Sequence, residues 1–370
     1  MKPSTRREFL ASTACAAAAF AAPIRALAQM NSPFKLSVIT NEISEDFDHA
    51  CSVASKDFGM QWVELRTMWG KNVTDLAADD LSRAQAILAK YNLRVTDIAS
   101  PLFKVDWPGA PLSKFSPQRG VKADSFGATT DFNKQDEVLA SSISLAKQFK
   151  TGKIRCFDFW RLDDVAPYRA AIDDKLRAAT ETCRKQDIAL ILENEHECNT
   201  VTAAEIVRLL KAVPSLGLNW DPANDVMHGE LDAFPAGWAL LPKDRIVHCH
   251  CKNVARDAAG KLQWSPVDIG FIDWVAQFRA LKSIGYRNAV SLETHWRGAG
   301  TPEASSRISW AGMKKALAAS ATLLRPHRPQ IPALHPIEHQ PPSALAPGED
   351  CPARALPHHI RGIYPPFTCP

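Results

Sequence analysis

Ala189-Leu190-Ile191-Leu192-Glu193, Leu216-Gly217-Leu218-Asn219-Trp220-Asp221, Ile246-Val247-His248-Cys249-His250-Cys251 and Ala289-Val290-Ser291-Leu292-Glu293 are four short strand-like runs. Each carries, at or near its end, a side chain able to bind a divalent metal: Glu193, Asp221, His250 and Glu293. Stretches of loop-plus-helix length separate them. Strands joined through helices form a parallel sheet, and a parallel sheet puts every strand's C-terminal end on one face. Four residues up to a hundred positions apart can therefore converge on one ion.

Outward from these runs the same alternation continues. Apolar, β-branched segments fall at Lys35–Thr40, Trp62–Arg66, Arg94–Ser100, Lys153–Phe159, Ala189–Asn194, Leu216–Asp221, Ile246–Asn253 and Ala289–His295. Helix-period stretches lie between them. Asp79–Asn92 carries Leu81, Ala84, Ile87 and Leu88 on one face, and Asp136–Lys150 carries Val138, Leu139, Ile143 and Ala146. Thr202–Val213 and Asp273–Gly285 follow the same rule, the last with Gly285 at its stop. Eight strand–helix units in about 290 residues suit a (β/α)8 TIM barrel, which typically takes ~250. The expected single domain is an α/β barrel over residues 34–323. A doubly wound open sheet binding a nucleotide would need a glycine-rich first turn, which Thr40–Glu45 lacks.

Both ends of the chain read as foreign to this body. Arg6-Arg7, the alanine-rich run Ala11–Ala22 and Ala26-Leu27-Ala28 give a basic, an apolar and a cleavage region in that order. Residues 1–28 thus resemble a twin-arginine signal peptide, with an apolar run too short to span a bilayer. The expectation is a precursor handled by the twin-arginine export machinery, a periplasmic mature protein and no stable membrane insertion. Residues 325–370 hold 12 of the 26 prolines and 5 of the 11 histidines. Proline at that density blocks helices and ladders, so a disordered Pro/His-rich tail is expected.

Charge narrows the partners. The leader's Lys2, Arg6, Arg7 and Arg25 against Glu8 give +3, the tail gives +1, and the whole chain is +4, so residues 29–324 are near neutral. A neutral body lacks the basic footprint of nucleic-acid binding. Self-association into a homo-oligomer is compatible with the sequence. Among nine cysteines, Cys249 and Cys251 alternate with the strand histidines and so should point away from His250. They read as small buried apolar residues.

Three carboxylates and one imidazole favour a hard-to-borderline ion: Mn²⁺, Mg²⁺ or Co²⁺, with Zn²⁺ also accommodated. An ion so held can grip two adjacent substrate oxygens and polarise a carbonyl, while a neighbouring carboxylate moves a proton. One connection, Pro101–Gln135, is far longer than a turn and carries Phe103, Trp107, Phe115 and Phe126. Loops of that length usually have a task, so it is expected to act as a lid, with Trp107 as a substrate wall.

Leu192-Glu193-Asn194 with His196, Asn219-Trp220-Asp221-Pro222-Ala223-Asn224, Val247–Asn253, Ser291-Leu292-Glu293-Thr294, Gly270–Trp274 and Val63-Glu64-Leu65-Arg66 together resemble the xylose isomerase-like TIM barrels. These are sugar isomerases and epimerases, with inosose dehydratases and, more distantly, endonuclease IV. The resemblance runs from about Phe34 to Leu323. It implies metal ligation by Glu193, Asp221, His250 and Glu293, with Glu193 and Glu293 also the catalytic carboxylates. It places substrate contacts at His196, Asn224, Lys252 and His295. Arg66, Arg155 and Arg161, at or near strand ends, are further candidates for holding substrate oxygens. Two positions depart from the family: Asn253 stands where Asp is frequent, and Asn224 where related epimerases often carry histidine.

The function expected is a divalent-metal-dependent isomerase or epimerase of a carbohydrate. A lyase that eliminates a β leaving group after the same proton abstraction is the alternative. A sugar-binding protein without turnover is the third. Sugar phosphates are scarce outside the cytoplasm and no glycine-rich phosphate cradle is present, so an unphosphorylated sugar is expected.

Overall fold

The computed structural model describes residues 32–117 and 129–321. The leader, the tail and Phe126 lie outside them. Eight strands, β1 Lys35–Val38, β2 Trp62–Leu65, β3 Arg94–Ile98, β4 Lys153–Cys156, β5 Ala189–Glu193, β6 Gly217–Trp220, β7 Ile246–Cys251 and β8 Ala289–Leu292, form one sheet. Neighbours in order are β1-β8-β7-β6-β5-β4-β3-β2, all parallel. A parallel bridge between Ile39 and Glu64 joins the two end strands and closes the (β/α)8 barrel. Every strand follows the expected position, starting within one residue of it.

Helices α1 Phe47–Ser52, α2 Ala78–Lys90, α3 Gln135–Gln148, α4 Arg169–Arg184, α5 Ala203–Ala212, α6 Pro222–His228, α7 Trp274–Ser283 and α8 Pro302–Ala321 cover the outside. Their starts are written locally. Thr202 and Glu205 form a reciprocal capping box at α5, and Asp221, followed by Pro222 at the first helical position, caps α6. Their inner faces bury Ile87, Leu176, Ile206, Leu209, Phe278 and Met313 against the outward side chains of the strands. Cys249 and Cys251 belong to this outer apolar layer, and burial pushes both thiols up. All six described cysteines are unbridged. Among the described residues no helix is long and apolar enough to cross a membrane.

Under the barrel mouth, Asp158 ties the loops after β4 and β5 together. It accepts from Thr200 N (2.9 Å) and Thr200 Oγ1 (2.6 Å) while its carbonyl accepts from Asn199 Nδ2 (2.8 Å). Complete burial pushes its carboxyl from 3.8 up to about 7, against the hydrogen bonds from Thr200. A carboxyl that ionises freely only when unfolded makes stability fall as pH rises through 4 to 7 and level off above. Asp158→Asn copies the protonated form, since its amide can donate to Thr200 Oγ1. Urea titrations of both proteins from pH 5 to 8 should show the variant gaining on wild type by at most about 3 kcal/mol. A constant difference across that range would contradict the assignment.

Candidate metal and proton-transfer site

The strand ends deliver the expected residues to one place. Ligand atoms of Glu193, Asp221, His250 and Glu293, all buried, lie within 4.8 Å of one another. His250 Nδ1 is 3.2 Å from Glu193 Oε1, 3.1 Å from Glu293 Oε2 and 3.5 Å from Asp221 Oδ2. Asp221 divides its labour: Oδ1 caps α6 through Ala223 N (3.1 Å) and Asn224 N (3.3 Å), leaving Oδ2 to the cluster. Asn194 holds that strand end, accepting from Asp221 N and donating to Asp221 O, each at 2.8 Å.

Each catalytic candidate is gripped by its own cation. Arg155 Nη1 is 3.0 Å from Glu193 Oε2, and Arg66 Nη1 is 3.0 Å from Glu293 Oε1. Lys252 Nζ bridges Glu293 Oε2 (2.5 Å) and Asp221 Oδ2 (2.7 Å). Burial alone would raise the Glu293 carboxyl, but Lys252, His295 and His250 hold it well below the usual range. The same contest, won by His250 and Arg155, lowers Glu193. Burial opposes a charge on His250, yet Glu64, Glu293 and Glu193 push its pKa well up.

This donor set fits a divalent cation. Oxygen and nitrogen atoms only, at strand ends, match the preferences of Mn²⁺, Mg²⁺ or Co²⁺. Asp221 Oδ2 is buried and takes no part in the helix cap; it faces the cations Lys252 Nζ at 2.7 Å and His250 Nδ1 at 3.5 Å. The carboxylates are meanwhile compensated by cations, Lys252 and His250, that stand among them.

Two buried acids behind the cluster were not singled out as site residues by sequence. Glu64 lies on β2, where the pairing with β3 shifts register. Its Oε1 is 3.1 Å from His250 Nε2 and its Oε2 is 3.1 Å from His248 Nε2. A carboxylate can only accept, so His250 Nε2 carries a proton and Nδ1 is the nitrogen offered to a metal. Glu42, in the turn after β1, is 2.5 Å from Arg66 Nη2, 2.6 Å from Arg297 Nη2 and 3.2 Å from His295 Nδ1. Burial would raise its carboxyl, but these partners lower it to about 2. An acid inside the apolar run Val63-Glu64-Leu65 was the available signal for Glu64.

The remaining candidates divide. His295 Nε2 stands 3.6 Å from Glu293 Oε1, and Asn224 Nδ2 is 3.4 Å from Glu193 Oε1 and 2.8 Å from Asn194 O. His196 sits 2.5 Å from Glu195 Oε1, whose partner Lys104 reaches in from the long β3–α3 connection. Pro101 and Lys104 of that connection line the cleft over Glu293 together with Arg66, Arg155, Phe157 and His295. Trp107 is not brought to this cleft. It packs edge-on against Phe159 (4.8 Å) and Phe132 (5.5 Å), because Phe103 and Phe159 both take left-handed backbone and stack beneath it. Arg161 is likewise spent on Glu205, 2.7 Å away, and on the carbonyls of Cys198 and Asn199.

Asn253 explains one departure from the family pattern. Its Nδ2 donates to Val267 O (2.9 Å) and Ile272 O (3.0 Å), which an aspartate could not do. It thereby fastens the hairpin Asn253–Arg256/Leu262–Ser265 that follows β7.

Residues 53–316 match the model of the xylose isomerase-like TIM barrel family. The chain belongs to that family. Among curated proteins none matches it. Solved structures with the same fold include a probable 3-DHS dehydratase from Bacillus anthracis, 21% identical over 76% of this chain and 98% of that one, with a TM-score of 0.54. A xylose isomerase-like TIM barrel protein from Mycobacterium smegmatis in complex with magnesium is 17% identical over 79% of this chain and 99% of that one, TM-score 0.54. The 3-keto-D-glucoside 4-epimerase of E. coli is 15% identical over 76% of this chain and 99% of that one, TM-score 0.54. At these identities the likeness is one of fold. An epimerase, a dehydratase and a xylose isomerase-like protein thus share the architecture of this barrel.

Proposed function

We propose that this protein is a divalent-metal-dependent isomerase or epimerase of an unphosphorylated sugar or keto-sugar. The observation that carries the reading is the placement of Glu193 and Glu293. They reach the same nitrogen, His250 Nδ1, from either side of β7, each pinned by a separate arginine. A carbon lodged between them has one carboxylate available to remove a proton and another to return it.

Glu193, Asp221, His250 and Glu293 would hold the ion. When bound there, it supplies a Lewis acid that polarises a carbonyl and acidifies the adjacent C–H. The chain's own groups do the rest. Arg66 and Arg155 keep each glutamate's oxygens oriented. Lys252 places a positive charge beside the oxygen that gains negative charge as the proton leaves. His295, between Glu42 and Glu293, is placed to hydrogen-bond a sugar hydroxyl.

Elimination of a β leaving group shares the first proton transfer. A dehydratase and a keto-glucoside epimerase among the structural neighbours both fit that common step. The substrate's leaving group, not the residues, separates the two outcomes. The experiment is incubation of Mn²⁺-loaded protein in D₂O with unphosphorylated ketoses and keto-glycosides. Deuterium next to the carbonyl is the expected result, with product mass distinguishing epimer from elimination product. Absence of label from every compound, with metal bound, would sink proton transfer and favour a non-catalytic sugar binder.

The twin-arginine leader supports a periplasmic location and export in the folded state, which suits a metalloenzyme loaded beforehand. Replacing Arg6 and Arg7 by lysine should leave uncleaved precursor in the cytoplasm. Normal export of that variant would refute this route.

A further inference from the structure

Trp264 stands on the second strand of the hairpin after β7, paired with Val254. Its ring centroid is 5.0 Å from that of His295 and 5.7 Å from that of His196, both at steep angles of 74° and 78°. Lys252 Nζ, the ammonium bonded to Glu293, lies 5.0 Å from the same centroid. A molecule lodged among Glu293, Lys252, His196 and His295 therefore has the indole as a wall. The ring is half-buried rather than sealed into the core.

The hairpin that carries this ring is fixed in place. Besides the Asn253 staple, Gly270 (φ 142°) approaches so closely that a Cβ there would lie 2.4 Å from Val254 O and 2.5 Å from Asn253 Oδ1. Phe271 N and Ile272 N then bond back to Val254 O (2.9 Å) and Asn253 Oδ1 (3.0 Å). A wall held this way costs little ordering on binding.

An indole face is apolar and electron-rich, and it gains most from cations and from flat arrays of polarised C–H bonds. An equatorially substituted pyranose holds such an array on each ring face. An open-chain polyol does not, because its C–H bonds rotate among hydroxyls. We propose that Trp264 is a specificity-determining residue that contacts the C–H face of a cyclic keto-sugar, whose ketone lies on a ring carbon other than the anomeric one, and so selects the ring over an open chain. This rests on the carbohydrate reading above.

Methyl β-D-glucopyranoside, locked as a ring, and D-glucitol, locked open, are the probes, with Mg²⁺-loaded protein and saturation-transfer NMR. Wild type should transfer saturation to the glucoside's axial ring protons and bind it more tightly than D-glucitol. Trp264→Ala should weaken the glucoside about five- to tenfold, the loss expected for one aromatic contact, with Trp264→Phe in between. Mg²⁺ affinity and thermal midpoint should stay at wild-type values in both variants, separating a lost wall from a damaged fold. Equal glucoside affinity in wild type and both variants, or equal affinity for both probes, overturns the proposal and leaves the carbohydrate reading standing. No binding of either probe to wild type overturns the proposal as well, and the carbohydrate reading is then decided separately by the deuterium exchange above.

Discussion

Glu293→Gln and Glu193→Gln are each expected to lower proton exchange into substrate by at least about 10²–10⁴-fold, the range for a positioned general base or acid. Each change removes a base and leaves a near-isosteric amide. The two should not be equivalent. Glu293 is shared by Lys252 and Arg66, both buried, so its loss breaks two ion pairs at once, with Asp221 still facing Lys252 and Glu42 still facing Arg66. Breaking such buried pairs costs roughly 3–5 kcal/mol. Glu193 faces Arg155, which also donates to Ala99 O (3.0 Å) and Ser100 O (3.3 Å) and so remains partly satisfied. The thermal midpoint should therefore drop more in Glu293→Gln than in Glu193→Gln, while exchange collapses in both. Deuterium wash-in by mass spectrometry, beside a melting curve, checks both halves. Retention of exchange in either variant would remove that glutamate from the proton path.

Glu64→Gln is expected to weaken divalent-metal binding about 10- to 100-fold without touching a ligand. The carboxylate behind His250 fixes which ring nitrogen carries the proton and strengthens the other as a donor. An amide oxygen accepts the same hydrogen bond but adds no negative charge. Mn²⁺ titrations followed by electron paramagnetic resonance give the affinity directly. A histidine side-chain NMR spectrum of the Mg²⁺ form should show the His250 tautomer preserved. Unchanged Mn²⁺ affinity would reduce Glu64 to a packing role between His248 and His250.

Much of this was legible in the chain because the controlling interactions are local. Strand starts were marked by apolar, β-branched runs, and the apolar period of Thr202–Val213 announced α5. The four ligands were legible because strand ends in a parallel barrel share one face. What stayed hidden depends on contacts between distant elements. Glu64 looks like an isolated acid in an apolar strand until β7, 184 positions later, brings two histidines onto it. Trp107 looked like a site wall because it lies in the long loop, yet Phe103 and Phe159 draw it into their own stack. Trp264 sat in a stretch without a strong period, since a two-stranded hairpin at the rim needs none. α8 buries Ser305, Ser306, Ser309 and Gly312 beside Trp310, Met313 and Ala316, so its buried face is too mixed to read as an apolar stripe.

The central claim is that one divalent ion sits among the ends of β5, β6, β7 and β8. Anomalous diffraction from crystals of the full-length protein grown with Mn²⁺ tests it most directly. The expected result is a single strong peak within bonding distance of Glu193, Asp221, His250 Nδ1 and Glu293, with the Lys252 ammonium moved off the Asp221 carboxylate. No peak there, or a peak only among Glu195, His196 and Glu197, would contradict the account.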